Sequence, residues 1–173
     1  MNKINLLKSC VYLAFVAVLF SGVGCKKDDD TTPSISADSI KKLNEKLITK
    51  YLADSGWTEL FKKDTNNIYW RITDTNSIDN NMPIPGNYVI TKYKGYLLDG
   101  VTKFDTSNSL KFRVGSYQVI KGWDFGIRRF KKGQKGILLI PSQMAYGTTG
   151  SGKTIPPNTP LRFDIQVLDI SND

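Results

Sequence analysis

Val119-Ile120-Lys121-Gly122-Trp123 is a short amphipathic stretch between two strand-like runs of the chain. Ile120, Trp123 and Ile127 fall at positions i, i+3 and i+7, so one face of a short helix would carry an indole and two branched aliphatic side chains. A lone tryptophan in such a position is most often part of a core, and the alternative is that it forms the floor of a pocket. The stretch therefore predicts a short central helix that packs against a sheet.

Strand-like segments on both sides of this helix predict an α+β fold with five to six strands. Leu161, Phe163 and Ile165 alternate with Arg162 and Asp164, which is the period of a half-buried strand. A tight turn is predicted at 99–100, where Asp is followed by Gly. The predicted strands cover residues 67–73, 88–98, 102–105, 110–114, 134–140 and 161–167.

Four aromatic side chains lie in or beside different predicted strands or strand-to-loop junctions. They are Tyr93, Phe104, Tyr146 and Phe163. Taken singly, each is more often a core residue or, for Tyr146, a loop anchor. Taken together with Trp123, they predict the wall of an apolar cup.

The first 24 residues have the features of a signal peptide. Lys3 and Lys8 precede an apolar run over residues 10–20, which is too short for the ~20 residues that span a bilayer. Small residues then lead into Cys25, and this pattern resembles the lipobox of bacterial lipoproteins, in which that cysteine is acylated. Gly22 departs from the larger aliphatic residue usual there, and ordinary cleavage without a lipid is the alternative.

The predicted processing determines the redox state and the location of the chain. Cys10 would leave with the leader and Cys25 would carry lipid, so no disulfide is expected. Residues 25–35 are polar and charged, which is typical of a flexible tether. We expect an exported protein that is anchored by lipid to a bacterial membrane, and we expect that membrane to be the outer one. The sequence leaves open whether the domain lies on the periplasmic face or on the cell surface.

An amphipathic helix is predicted over residues 36–52. Its apolar residues recur at helical spacing, with Ser36 or Asp38 as the cap and Gly56 beyond its end. The apolar stripe must be covered, either by its own domain, which we favour, or by the same helix of a second copy. Residues 36–84 form this helix and a lead-in strand, and residues 85–173 form the main domain.

Charge and composition exclude several classes of function. The net charge is +8, but the basic residues are scattered, with one tight cluster over residues 128–132. This distribution favours a solvated face and not a nucleic-acid site. The chain has no histidine, which removes most metal sites and the commonest general base. We therefore expect no metal, no cofactor and no covalent catalysis.

Residues 147–154 match the phosphate-loop pattern G-x-x-x-x-G-K-[ST]. That pattern binds nucleotide only where the loop opens directly into a helix, whose N-terminal N–H groups hold the phosphates. Pro156 and Pro157 follow here, and prolines lack the N–H group and disfavour a helix. We therefore predict no nucleotide site.

Five blocks of the sequence, in order, resemble FKBP-type peptidyl-prolyl cis-trans isomerases. The similarity runs from about Pro85 to Ile170, and it implies a curved antiparallel sheet wrapped around one short helix, with the pocket between them. It implies proline-containing polypeptides as substrates and macrolides as inhibitors. The blocks are residues 93–100 (YKGYLLDG), 103–107 (KFDTS), 119–123 (VIKGW), 145–147 (AYG) and 155–164 (IPPNTPLRFD).

The resemblance also assigns roles to individual residues. It implies that the catalytic group comprises Tyr93, Asp105, Ile120 and Tyr146, and that the substrate-binding group comprises Phe104, Val119, Trp123, Ile155 and Phe163. Without the resemblance, Asp105 could equally cap a turn.

Two departures from the family pattern concern the pocket wall. Leu110 stands where the family often has Phe, and Thr154 where it often has Ile. Both reduce the apolar wall, which argues against tight macrolide binding more than against activity. Ser151 and Gly152 lie in the variable loop over the pocket, so we expect a distinct substrate preference.

Two functions follow from these observations. The main hypothesis is a membrane-tethered prolyl isomerase that assists the folding of exported proteins. The alternative is an FKBP-like module that binds partners or unfolded chains without turnover. The full set of pocket aromatics together with Asp105 favours the enzyme.

Overall fold

A six-stranded antiparallel sheet curves around one short helix in the computed structural model, which describes residues 36–77 and 80–172. This confirms the predicted fold class. The strand order is β1-β2-β5-β6-β3-β4. The strands are β1 (Lys62–Lys63), β2 (Tyr69–Asp74), β3 (Tyr88–Leu97), β4 (Lys103–Arg113), β5 (Lys135–Ile140) and β6 (Leu161–Ser171), and the α-helices are α1 (Ala37–Asp54) and α2 (Lys121–Gly126).

The predicted signal peptide, Cys25 and the tether lie outside the described residues. Within the described part, none of the helices is both long and apolar enough to cross a membrane. The predicted division between residues 84 and 85 falls between β2 and β3, two strands of the same sheet.

The β3–β4 hairpin differs in one respect from the prediction. Residues 102–105 and 110–114 were expected as separate segments, but β4 continues through the polar residues between them, where Thr106 pairs with Lys94 and Ser107 with Tyr93. Because β4 is an edge strand with an exposed face, polar residues can occupy it without disturbing a core. The predicted turn is present, with Gly100 at φ 77°.

β1 was not predicted. It is two residues long and pairs only with β2, so that Lys62 lies opposite Trp70. Two exposed lysines carry no periodic pattern, and this strand brings the total to six although two predicted segments merged.

Helix α2 packs against β5 at very close range. A Cβ atom placed on Gly122 would lie 2.2 Å from Ile140 Cγ2, so only glycine permits this approach. The close approach buries Trp123 and Ile127 in the core on the concave side of the sheet.

Helix α1 covers the opposite face of the sheet. Ile48 and Leu52 pack with Ile137 and Leu139 of β5, whereas the alternate residue Leu138 points into the core with α2. Because successive strand residues face opposite sides, the two helices sandwich β5. This explains why β5 is apolar on both faces. The predicted packing of the N-terminal helix on its own domain is confirmed, and Ser36 is its cap, accepting a hydrogen bond from the Ser39 N–H at 3.2 Å.

Candidate functional site

Two adjoining cavities lie on the concave side of the sheet, the first between α2 and the sheet and the second between β4 and the 141–160 loop. The first has a volume of about 360 Å³ and the second about 250 Å³, and both are lined by Asp105 and Tyr146. All nine residues predicted for the site line one or both of them. Tyr93, Asp105, Val119, Ile120, Trp123, Tyr146 and Phe163 line the first cavity, and Phe104 and Ile155 line the second.

These residues come from separate parts of the fold. β3 supplies Tyr93, and β4 supplies both Phe104 and Asp105. The other six residues come from four places: the segment before α2, α2 itself, the long loop over residues 141–160, and β6. The curvature of the sheet brings them around one concavity.

Trp123 forms the floor of the first cavity. Only 3% of its surface is exposed, yet its indole lines the concavity. The Tyr93 ring lies 4.9 Å from it at 73°, and the Phe163 ring lies 5.3 Å from it at 85°. These edge-to-face contacts are the geometry that aromatic pairs prefer, so the two neighbouring rings stabilise the position of the indole.

Phe104 extends the aromatic wall toward the second cavity. Its ring stands 5.5 Å from that of Phe163 at 88°. A Cβ atom on Gly95 would lie 2.7 Å from the Phe104 ring, so the glycine in β3 makes room for this side chain.

A tyrosine–carboxylate pair stands at the edge of this apolar surface. The Tyr93 hydroxyl donates a hydrogen bond to Asp105 Oδ2 at 2.5 Å, and the Thr106 N–H donates to Asp105 Oδ1 at 2.7 Å. Burial, followed by the hydrogen bond to Asp105 and its charge, raises the pKa of the Tyr93 phenol well above its ordinary range. The phenol is therefore neutral at physiological pH and fixes the position of the carboxylate.

Two further polar groups point to the same space. Burial and then the charge of Asp105 raise the pKa of the Tyr146 phenol, so it keeps its proton and can donate it in a hydrogen bond. Ile120 is the capping residue directly before α2, and within residues 36–77 and 80–172 its N–H has no backbone acceptor. Both donors can hold carbonyl oxygens of a bound ligand.

The loop that leads into α2 is held by a buried carboxylate. Asp124 Oδ1 accepts from the Gly115 N–H at 3.0 Å, and its Oδ2 accepts from the Tyr117 N–H at 3.1 Å. Gln118 in this loop lines the first cavity and was not predicted. It is polar and exposed, so only its place directly before Val119 could have indicated it.

The segment that matches the phosphate-loop pattern does not open into a helix, as predicted. Residues 147–154 form turns, and no helix follows them in the described part of the chain up to β6. Ser151 pairs with Ile155 as an isolated bridge, and Ile155 lines the second cavity.

The comparisons with known proteins concern the same part of the chain. The FKBP-type peptidyl-prolyl cis-trans isomerase family matches residues 80–168. An FK506-binding protein of Neisseria meningitidis serogroup C is 43% identical over 91 residues, which are 50% of this chain and 83% of that protein. A peptidyl-prolyl cis-trans isomerase of Saccharomyces cerevisiae is 41% identical over 93 residues, 51% of this chain and 69% of that protein.

Solved structures extend the similarity beyond that segment. A peptidyl-prolyl cis-trans isomerase from Pseudomonas syringae pv. tomato superimposes with a TM-score of 0.65 at 29% identity, covering 80% of this chain and 98% of that one. FkpA from Escherichia coli gives a TM-score of 0.63 at 31% identity, covering 78% and 63% respectively. These matches cover more of the chain than the family segment, so they include structure on its N-terminal side.

Proposed function

Because the chain belongs to the family of FKBP-type peptidyl-prolyl cis-trans isomerases, we propose that it accelerates the rotation of Xaa-Pro bonds in exported proteins while a lipid on Cys25 anchors it to a bacterial membrane. The chain is a peptidyl-prolyl cis-trans isomerase. Its clients and its anchoring are the parts that we propose.

The observation that carries the mechanism is the aromatic cavity above Trp123, with polar groups confined to its edge. Rotation about an amide meets a barrier of ~18–20 kcal/mol because resonance holds the bond planar. At the twisted midpoint resonance is lost and the carbonyl is less polar. The free-energy cost of removing that state from water is therefore lower than the cost for the planar ground state. An apolar cavity then binds the twisted state better, which accelerates rotation without a covalent step.

We assign each group a part in this process. Trp123 supports the proline ring from below, while the Ile120 N–H and the Tyr146 hydroxyl hold substrate carbonyl oxygens. Asp105, held by Tyr93, places a carboxylate beside the twisting amide. No proton transfer is required, and the raised pKa values of both phenols keep their hydroxyl groups in the donating form.

We propose that macrolide inhibitors bind the same cavity, but less tightly than they bind family members with larger apolar residues at positions 110 and 154. Leu110 lines the first cavity and Thr154 the second, at positions where the family often has larger apolar residues. Each substitution removes apolar contact area, on which binding of a large macrolide depends.

The location rests on the sequence of the leader. A basic start, an apolar run over residues 10–20 and small residues before Cys25 support export followed by acylation. The polar residues 26–35 would then hold the domain away from the bilayer, accessible to unfolded chains.

The catalytic assignment is tested by substitution in the full chain. We expect Tyr146→Phe and Asp105→Val each to lower kcat/KM for an Xaa-Pro peptide roughly two- to tenfold, the value of one hydrogen bond. Tyr88→Phe is the matched control, because Tyr88 lies at the far end of β3 and lines neither cavity. Equal acceleration by wild type and all three variants, in this assay and in proline-limited refolding, would reject the assignment.

A further inference from the structure

A buried asparagine on α1 connects the N-terminal helix to the loop that carries Tyr146. Asn44 is 0% exposed. Its Oδ1 accepts a hydrogen bond from the Ser142 N–H at 2.7 Å, and its Nδ2 donates to the Asn158 carbonyl oxygen and to the Ile40 carbonyl oxygen, each at 3.1 Å. The partners fix the orientation of the side-chain amide, because an N–H can only donate to its oxygen and a carbonyl can only accept from its nitrogen.

The two loop contacts belong to a closed ring of hydrogen bonds. The Gly147 N–H donates to the Ser142 carbonyl at 2.8 Å, and the Asn158 N–H donates to the Gly147 carbonyl at 2.8 Å. Asn44 completes the ring by joining Asn158 to Ser142. Because Gly147 follows Tyr146 directly, the ring fixes the backbone from which the Tyr146 side chain projects into the cavity.

The choice of residue is informative in its own right. Asn44 lies four residues after Ile40 and four before Ile48, on the buried face of α1, where an apolar residue would be expected. Asparagine is also a poor residue for a helix interior. The contacts with Ser142 and Asn158 supply the reason for placing it there.

We infer that Asn44 is a positioning residue for the isomerase reaction: its side-chain amide holds both ends of the 141–160 loop so that the Tyr146 hydroxyl keeps its orientation in the cavity. This inference rests on the role proposed above for Tyr146. It makes α1, which lies outside the family segment of residues 80–168, a support of the catalytic site although it does not touch the cavity.

A double-mutant cycle on the full chain tests this. When Tyr146 is present, we expect Asn44→Ala to lower kcat/KM for an Xaa-Pro peptide roughly three- to tenfold, and by no more than Tyr146→Phe does, because small displacements of a substrate-holding group are costly. In the Tyr146→Phe background we expect less than about a twofold loss, because the group being positioned is already absent. Equal losses in the two backgrounds would overturn the inference. The single variant Tyr146→Phe tests the proposed role of Tyr146 separately, because kcat/KM unchanged in that variant would reject the role of Tyr146 itself.

Two variants separate positioning from general destabilisation. Ile48→Ala removes a fully buried side chain one turn further along α1 without touching the ring, and we expect its folded fraction to keep the wild-type kcat/KM. Ser142→Ala removes a buried hydroxyl that has no hydrogen-bond partner among the described residues, but it keeps the backbone N–H that donates to Asn44. We therefore expect this variant also to keep the wild-type kcat/KM. A loss of activity in Ile48→Ala equal to that in Asn44→Ala would contradict the inference.

Amide hydrogen exchange provides an independent reading of the ring. In Asn44→Ala, or in Asn44→Ser should the alanine variant fail to fold, we expect faster exchange at the N–H groups of Ser142, Gly147 and Asn158, with β3 and β6 unchanged. Unchanged exchange at these three amides would overturn the inference.

Discussion

Tyr93 has two functions within one side chain. Its ring packs edge-on against Trp123 and is part of the apolar surface, while its hydroxyl bonds Asp105. Without this hydrogen bond, the Asp105 carboxylate would be held only through its Oδ1, which accepts from the Thr106 N–H at 2.7 Å. The tyrosine therefore contributes to the apolar surface of the cavity and also fixes the Asp105 carboxylate that lines it.

The raised pKa of Tyr93 makes a prediction about stability at alkaline pH. In the unfolded chain the phenol ionises near its ordinary value of 10.0, whereas in the folded protein it stays neutral above that value. Its contribution to stability is therefore complete below about pH 10 and is lost as the pH rises further. We expect Tyr93→Phe to lower the free energy of unfolding by about 1 kcal/mol at neutral pH.

The measurement is guanidinium unfolding of wild type and Tyr93→Phe across this range. The difference between them should narrow above about pH 10, since only the wild-type chain gains a proton-releasing group at this position on unfolding. The other tyrosines are common to both proteins and cancel. A difference that widens with pH would contradict the assignment.

At the scale of elements, α1 is an integral part of the fold. It packs on β5 from the outer side, while α2 packs on β5 from the inner side. Arg162 of β6 adds a polar link to α1, because its guanidinium donates to the Tyr51 hydroxyl at 2.8 Å and also binds Asp164 through two nitrogens. Displacement of α1 would expose Ile137 and Leu139 on the outer face of β5.

Two neighbouring residues of α1 distinguish packing on the domain from pairing between copies. Ile48 is 0% exposed and Leu47 is 40% exposed. We expect Ile48→Ala to lower the free energy of unfolding by about 2–5 kcal/mol. Leu47→Ala should cost less than about 1 kcal/mol, because it is largely a surface change.

Urea unfolding at two protein concentrations checks this expectation. Midpoints that do not depend on concentration, together with the larger loss for Ile48→Ala, fit packing on the domain. The larger loss for Leu47→Ala with concentration-dependent midpoints would instead indicate that α1 pairs with the same helix of a second copy.

At the scale of the whole molecule, the site has to be brought to its substrates. The described domain carries the isomerase site, and the proposed lipid on Cys25 would keep it at the membrane surface, outside the cytoplasm, where exported chains are present. A single lipid-modified cysteine with its acyl chains provides such an anchor without a spanning helix.

The two cysteines of the chain provide a matched test of the anchor. We expect Cys25→Ser to abolish incorporation of a labelled fatty acid in the bacterial host, because the acylated atom is removed. Cys10→Ser should keep full labelling, since Cys10 lies within the predicted leader. Labelling that persists in Cys25→Ser would exclude this cysteine as the attachment point.

Local patterns predicted the elements well where one face of an element is buried. β6 was recognised from its alternation at 161–167, and the structure extends it to Ser171. The patterns failed for β4, whose middle is polar, and for β1, which is only two residues long. In both cases the strand exists because a neighbour offers backbone hydrogen bonds, and side-chain periodicity does not record that.

The candidate site was predicted from blocks of residues in a particular order, a signal of resemblance. Periodicity alone would have stopped at a β-rich domain with an apolar pocket. Gln118 at the cavity and Asn44 behind it were not recognised. Gln118 is an exposed polar residue with no distinguishing pattern. Asn44 is a polar residue on the apolar face of an amphipathic helix, and only its distant hydrogen-bond partners explain why it is there.

The sequence by itself narrowed the chemistry and predicted the local structure: without histidine an imidazole base is excluded, and the apolar spacing around Trp123 predicts a short helix with one apolar face. Only the tertiary structure decided which groups meet. Asn44 reaches Ser142 across 98 residues and Asn158 across 114. Contacts at such separations depend on how the curved sheet and its two helices close around each other, because spacing along the chain specifies a residue's face but not its distant partner.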